Sequence, residues 1–166
     1  MPEACNGLPT ATGPHQQSTW LPKHRRSAGT ARLLLREFLH QQPNLAERFS
    51  DVGELLLSEL VANAVQHPRV PADRLLLVHF VLSLAELRIE VHDAGDDLPT
   101  HPAAAAALPD HEAETGRGLF LVQHLSRSWG CFPRPGGIGK AVWCAIAPDD
   151  DAPDPTRSPA GGSEAA

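Results

Sequence analysis

Three short runs in this 166-residue chain carry side chains whose types and spacing could do chemistry. The first pairs Glu59 with Asn63, four residues on, and Gln66 falls close to the same line among Leu56, Leu57, Leu60, Val61, Ala64 and Val65. At about 3.6 residues per turn, positions four apart stack, so these groups form a narrow polar stripe on a helix that is apolar over most of its circumference. Such a helix is buried. A buried carboxylate must be paired, hydrogen-bonded, protonated or turned toward a ligand, because desolvating it alone costs far more than packing returns. The stripe therefore either meets an internal partner, such as a buried arginine, or lines a cavity. The second run, Asp93-Ala94-Gly95-Asp96-Asp97, follows an alternating strand and presents a carboxylate at the strand end; by itself it is a turn. The third, Gly116-Arg117-Gly118-Leu119, opens an amphipathic helix, where unpaired backbone amides and the positive end of the helix dipole suit phosphate oxygens and Arg117 can clamp in bidentate fashion. Alone it is equally a glycine-rich helix start.

These runs need elements to hold them. Pro22 suits the end of a short edge strand around Ser18, and Ser27 can cap a helix whose buried face is Ala31, Leu34, Leu35, Phe38 and Leu39, with Pro43 as its stop. Residues 44–50 read as a connector, after which Asp51 caps the central helix, which ends before Pro68. The period then changes. Residues 74–82 form an apolar strand, and residues 86–92 alternate with Leu87, Ile89 and Val91 on the core face, close enough in sequence for an antiparallel hairpin. Residues 98–113, with three prolines and a run of five alanines, are expected to be a weakly anchored lid. A second buried helix over 118–128 and last strands at 129–132 and 139–146 complete an α+β, two-layer sandwich, its mixed and mostly antiparallel sheet covered by helices on one face. Residues 1–16 are expected to be a disordered arm, 17–147 the domain, and 148–166 a disordered tail.

Composition narrows the partners. A net charge of −6 argues against nucleic acid, and the short cluster Lys23-His24-Arg25-Arg26 is a solvated helix start rather than a phosphate-binding patch. Cys5, Cys131 and Cys144 are an odd number without metal-type spacing, and no apolar leader or membrane segment opens the chain, which points to a reduced cytoplasm and no membrane. Cys131 and Cys144 fall on neighbouring strands and are read as small core residues in preference to a disulfide.

Taken in order, Glu-x-x-x-Asn, Asp-x-Gly and Gly-x-Gly-Leu resemble the N, G1 and G2 boxes of the GHKL ATPase superfamily, whose ATP site is called the Bergerat fold. Within it the small standalone kinases of anti-sigma factor type look closest, and the resemblance covers roughly residues 17–147. It implies ATP and Mg²⁺ as cofactors. Asn63 would hold Mg²⁺ across the phosphates, and one amide oxygen suffices for an ion that keeps most of its ligands from phosphate and water. Glu59 would act as catalytic base toward the attacking hydroxyl. Asp93 would accept from the adenine amino group, Gly95 would let the backbone approach the base, and Gly116, Arg117, Gly118 and Leu119 would cradle phosphate. The implied activity is phosphorylation of a serine or threonine on an anti-sigma factor antagonist, with a sigma factor as the other partner. Kinases of that type are commonly dimers, so a homodimer is implied, although no exposed apolar face stands out in the sequence.

Three departures separate this chain from the family pattern. Asp97 stands where a second glycine usually closes the G1 box, and Gly139-Lys140 stands for the usual Gly-Thr, so a hydroxyl contact to adenine has no counterpart. The lid is also short and poor in basic residues. These keep a second reading open: a non-catalytic module that binds ATP only structurally, or no nucleotide, and acts by sequestering its partner. A histidine kinase catalytic domain is the less favoured third, because no dimerising helix with a phosphoacceptor histidine precedes the first box.

Overall fold

The computed structural model describes residues 14–66, 74–95, 117–136 and 138–148. Strands β1 (His15–Pro22), β2 (Leu75–Leu82), β3 (Leu87–Asp93), β4 (Ser128–Pro133) and β5 (Lys140–Ile146) form one five-stranded sheet in the order β1-β2-β3-β5-β4. Every pairing in it is antiparallel, so the expected mixed character is absent among the described strands. The β2–β3 hairpin closes as anticipated, with Leu82 opposite Leu87. Ser83 fixes the turn: its amide donates to the Glu86 carbonyl at 2.9 Å, and its Oγ accepts from the Ala85 and Glu86 amides.

Helices α1 (Ser27–His40), α2 (Pro43–Gln66) and α3 (Arg117–Leu125) pack on one face of this sheet. The core lies between the layers. Leu76, Val78, Phe80 and Leu82 of β2 and Leu87, Ile89 and Val91 of β3 meet Leu35, Phe38 and Leu39 of α1 and Leu56, Leu57, Leu60 and Val61 of α2. Each fully buried side chain of this size contributes roughly 1.5–3 kcal/mol of transfer free energy. Successive strand residues point to opposite faces, and the parity that buries Leu87, Ile89 and Val91 also turns Asp93 toward the helices.

Several boundaries differ from the sequence reading. Strand β1 begins at His15 rather than near Ser18. Ser27 is not an N-cap; it is the first helical residue, buried, and its Oγ donates to the Pro22 carbonyl at 2.6 Å, which ties α1 to the end of β1. The expected connector at 44–50 is helix, because α2 runs unbroken for 24 residues from Pro43. Proline at the first helical position forfeits no hydrogen bond and has the right φ. Leu45, Ala46 and Phe49 then extend the buried stripe one and a half turns before Asp51, which sits exposed within the helix. At the other end of the chain, α3 stops at Leu125 rather than Ser128, and the Arg127 amide, donating to the Ala145 carbonyl at 2.8 Å, already belongs to the approach of β4. Leu125 is 42% exposed, so the anchor of that helix is Val122 with Leu121 beside it. Cys131 and Cys144 are both free thiols. Among the described residues, no helix is long and apolar enough to cross a membrane.

Candidate functional site

Helix α2 carries the first of the runs singled out by sequence and touches both β3, at whose end the second begins, and α3, which holds part of the third. Leu56, Leu57, Leu60, Val61 and Ala64 turn inward, which leaves Glu59 and Asn63, one turn apart, half-buried on the flank of the helix. Among the described residues, neither makes an ion pair or a side-chain hydrogen bond. Among the described residues, the interior alternative, a carboxylate locked to a buried arginine, is therefore not found on α2. Glu59 instead lies against the first turn of α3. A Cβ placed on Gly118 would stand 2.6 Å from Glu59 Oε2, so the missing side chain at 118 is what lets the carboxylate approach the helix start.

A second cluster forms where β3 ends. Asp93 is 2% exposed, and its Oδ1 accepts from the Gly95 amide at 2.6 Å, an Asx-type turn that explains why the chain bends there. Lys140 Nζ stands 3.5 Å from the same Oδ1. The two are register partners across β3 and β5, and Lys140 is fully buried. Asp93 Oδ2 is also buried and, among the described residues, has no hydrogen-bond partner. A lone pair left unmatched in the interior is costly, and a native fold keeps one where something else completes it. An amino group on a purine edge would do so by donating to Oδ2, and the acceptor that the cluster leaves open fits that role.

Gly139 holds the cluster together. Its φ of +88° is a conformation that favours glycine, and a Cβ there would run into the Asp93 carbonyl oxygen and the Cα of Ala94. The start of β5 is thus pressed against the end of β3, with Lys140 beside the carboxylate. Sequence reasoning gave Lys140 no role; the signal available was the basic residue standing for a threonine, but its pairing with Asp93 depends on strand register.

The structure accordingly joins Glu59 with Gly118, and Asp93 with Gly95, Gly139 and Lys140; Asn63 is carried by the same helix as Glu59, and Leu119 is half-buried in the first turn of α3. Gly116, the side chain of Arg117, Asp97 and the expected lid lie outside the described residues. A separate cleft of about 480 Å³ opens at the same end of the sheet, between Trp20, Arg74, Arg134 and Ile138. Trp20 projects from the sheet face opposite the helices, since its neighbour Leu21 is the buried residue, and among the described residues the cleft shares only Ala94 with the boxes.

Comparison with curated proteins returns no match. Comparison with protein families does: residues 21–143, which include Glu59, Asn63, Asp93, Gly95 and the whole of α3, match the family described as the histidine kinase-like ATPase domain. That span is most of the chain, and the chain belongs to this family of ATP-binding domains of GHKL type.

Proposed function

We propose that this protein is an ATP-dependent serine/threonine protein kinase of anti-sigma factor type, which phosphorylates a small antagonist protein in a partner-switching system. The observation that carries the reading is Glu59: a half-buried carboxylate with no ion-pair partner among the described residues, set against Gly118 and one turn from Asn63. Bound ATP would supply the γ-phosphoryl group, and Mg²⁺, held by the Asn63 amide oxygen, would offset its negative charge. Glu59 takes the proton from the attacking hydroxyl as the new oxygen–phosphorus bond forms and the bond to ADP breaks. Asp93 accepts from the base edge and Gly95 gives the backbone room beside it, while the amides at the start of α3, with Arg117, hold phosphate oxygens. A cytoplasmic location and a homodimer accompany this reading.

Transfer of label from ATP, in the presence of Mg²⁺, to candidate antagonists tests it. Transfer that Glu59→Gln abolishes supports the kinase; transfer unaffected by that substitution, or none with any antagonist, refutes it. A second reading is favoured by Lys140 standing where the family has a hydroxyl: a module that binds nucleotide without turnover and sequesters its partner. Calorimetry with ATP and ADP separates the two, since tight binding without transfer supports the module and no binding removes both.

A further inference from the structure

The buried Lys140 beside Asp93 is the feature that the activity above leaves without a use. The inference drawn from it rests on the nucleotide reading of the site and deepens it. The geometry points to Lys140 as a specificity-determining residue that supplies the donor half of a donor–acceptor pair at the purine edge, and so weakens the preference for adenine that a lone carboxylate would impose.

Three observations lead there. The ammonium stands beside a carboxylate whose Oδ2 has no partner among the described residues, with Nζ 3.5 Å from Oδ1 and both side chains almost wholly buried. Oδ1 is already engaged by the Gly95 amide, which fixes the carboxylate plane and leaves Oδ2 as the acceptor to be completed. Gly139, in its left-handed conformation against the Asp93 carbonyl, holds Lys140 in place, so the ammonium belongs to the built framework of the site.

The chemistry of the bases supplies the rest. A carboxylate alone matches the amino group of adenine and repels the carbonyl that guanine carries at the same edge. An ammonium beside it changes both terms. It offsets the negative field, and it can donate to whichever acceptor lies next to the group that donates to Oδ2. Adenine offers an amino donor next to a ring-nitrogen acceptor; guanine offers a ring N–H donor next to a carbonyl acceptor. A paired acceptor and donor can satisfy either purine by a small shift of the base in its plane. In water-poor surroundings, a hydrogen bond to a charged donor discriminates strongly against a ligand that leaves it unmade.

The test uses ADP and GDP, which share the two bases and avoid turnover, titrated calorimetrically into the full chain at about pH 8, where a carboxylate is ionised. For the wild-type protein the GDP and ADP dissociation constants should lie within about tenfold of each other, and Lys140→Thr should raise the GDP/ADP ratio by about tenfold or more. Lys140→Arg, which keeps a cationic donor, should leave that ratio close to the wild-type value. A ratio that moves by less than about threefold between wild type and Lys140→Thr overturns the inference while nucleotide binding stands. If Lys140→Thr fails to fold by circular dichroism, the wild-type ratio decides: below about tenfold, the equivalent of about 1.4 kcal/mol, supports the inference, and anything above overturns it. Binding of neither nucleotide to the wild-type protein would instead refute the nucleotide reading itself, and this inference with it.

Discussion

In the proposed function a single carboxylate, Asp93, concentrates most of the base recognition. One of its oxygens holds the turn through the Gly95 amide and faces the Lys140 ammonium, and the other is buried with nothing to accept from among the described residues. Replacing it by asparagine keeps the shape but removes the charge, so ATP affinity should fall by about 1–3 kcal/mol, the scale for losing one partner of a charge-assisted hydrogen bond. Calorimetry measures this directly, and an unchanged dissociation constant would remove Asp93 from the base site. The same change removes the negative charge beside the buried Lys140 ammonium, so a lower melting temperature should accompany the weaker binding.

The elements show which parts of the fold could be anticipated from local rules. Strands β2 and β3 were legible because Leu87, Ile89 and Val91 alternate strictly, and the same parity placed Asp93 on the helix face two residues later. The Glu59–Asn63 stripe was legible for the analogous reason on a helix. The start of α2 was not. Pro43 reads as a stop, and only the packing of Leu45, Ala46 and Phe49 on the core shows that it begins a helix after α1 has ended at His40. The Asp93–Lys140 pair was equally hidden, since the two residues are 47 positions apart and meet only through the register of two non-consecutive strands. The misread segment gives a sharp test. Were residues 44–50 a solvated connector, truncating Phe49 would matter little; as the buried first turns of α2, with Phe49 1% exposed, Phe49→Ala should cost about 3–5 kcal/mol, comparable to the roughly 2–5 kcal/mol expected for Leu60→Ala deeper in the same helix. Urea denaturation of both variants checks this, and a Phe49→Ala loss below about 1 kcal/mol would return the segment to the status of a loop.

At the scale of the described elements, the sheet has a helix-covered side and a side that no described helix covers, here the open side, and the two carry different titrating groups. On the open side Glu90 is half-buried; burial pushes its carboxyl up, but hydrogen bonds from Arg88 at 2.7 Å and His92 at 3.1 Å outweigh that and hold it below the usual range. A depressed folded-state value means stability that is present above the unfolded value of about 4.3 and is lost as pH falls through the folded one. Stability measured by urea below about pH 4.5 should therefore fall less steeply with acid in Glu90→Gln than in the wild-type protein, and parallel slopes would contradict it. On the covered side Cys144 lies in β5, flanked by β3 and β4, with no solvent exposure, and burial pushes its thiol up to about 12. The thiolate is the reactive species, so at about pH 8 the folded protein presents almost none at this position, whereas an unfolded chain with a thiol near 8.5 presents a sizeable fraction. Reaching Cys144 requires the sheet to part from its helices, the opening that disassembles the core as a unit, while Cys131 on the edge strand β4 is half-buried and can be exposed by fraying. Thiol labelling followed by peptide mass should thus show Cys131 modified well before Cys144, and the Cys144 rate should rise with urea along the slope of global unfolding. Equal labelling rates for the two in the absence of denaturant would mean that β5 opens locally, and that the strand holding Lys140 against Asp93 is not the rigid support that the base site requires.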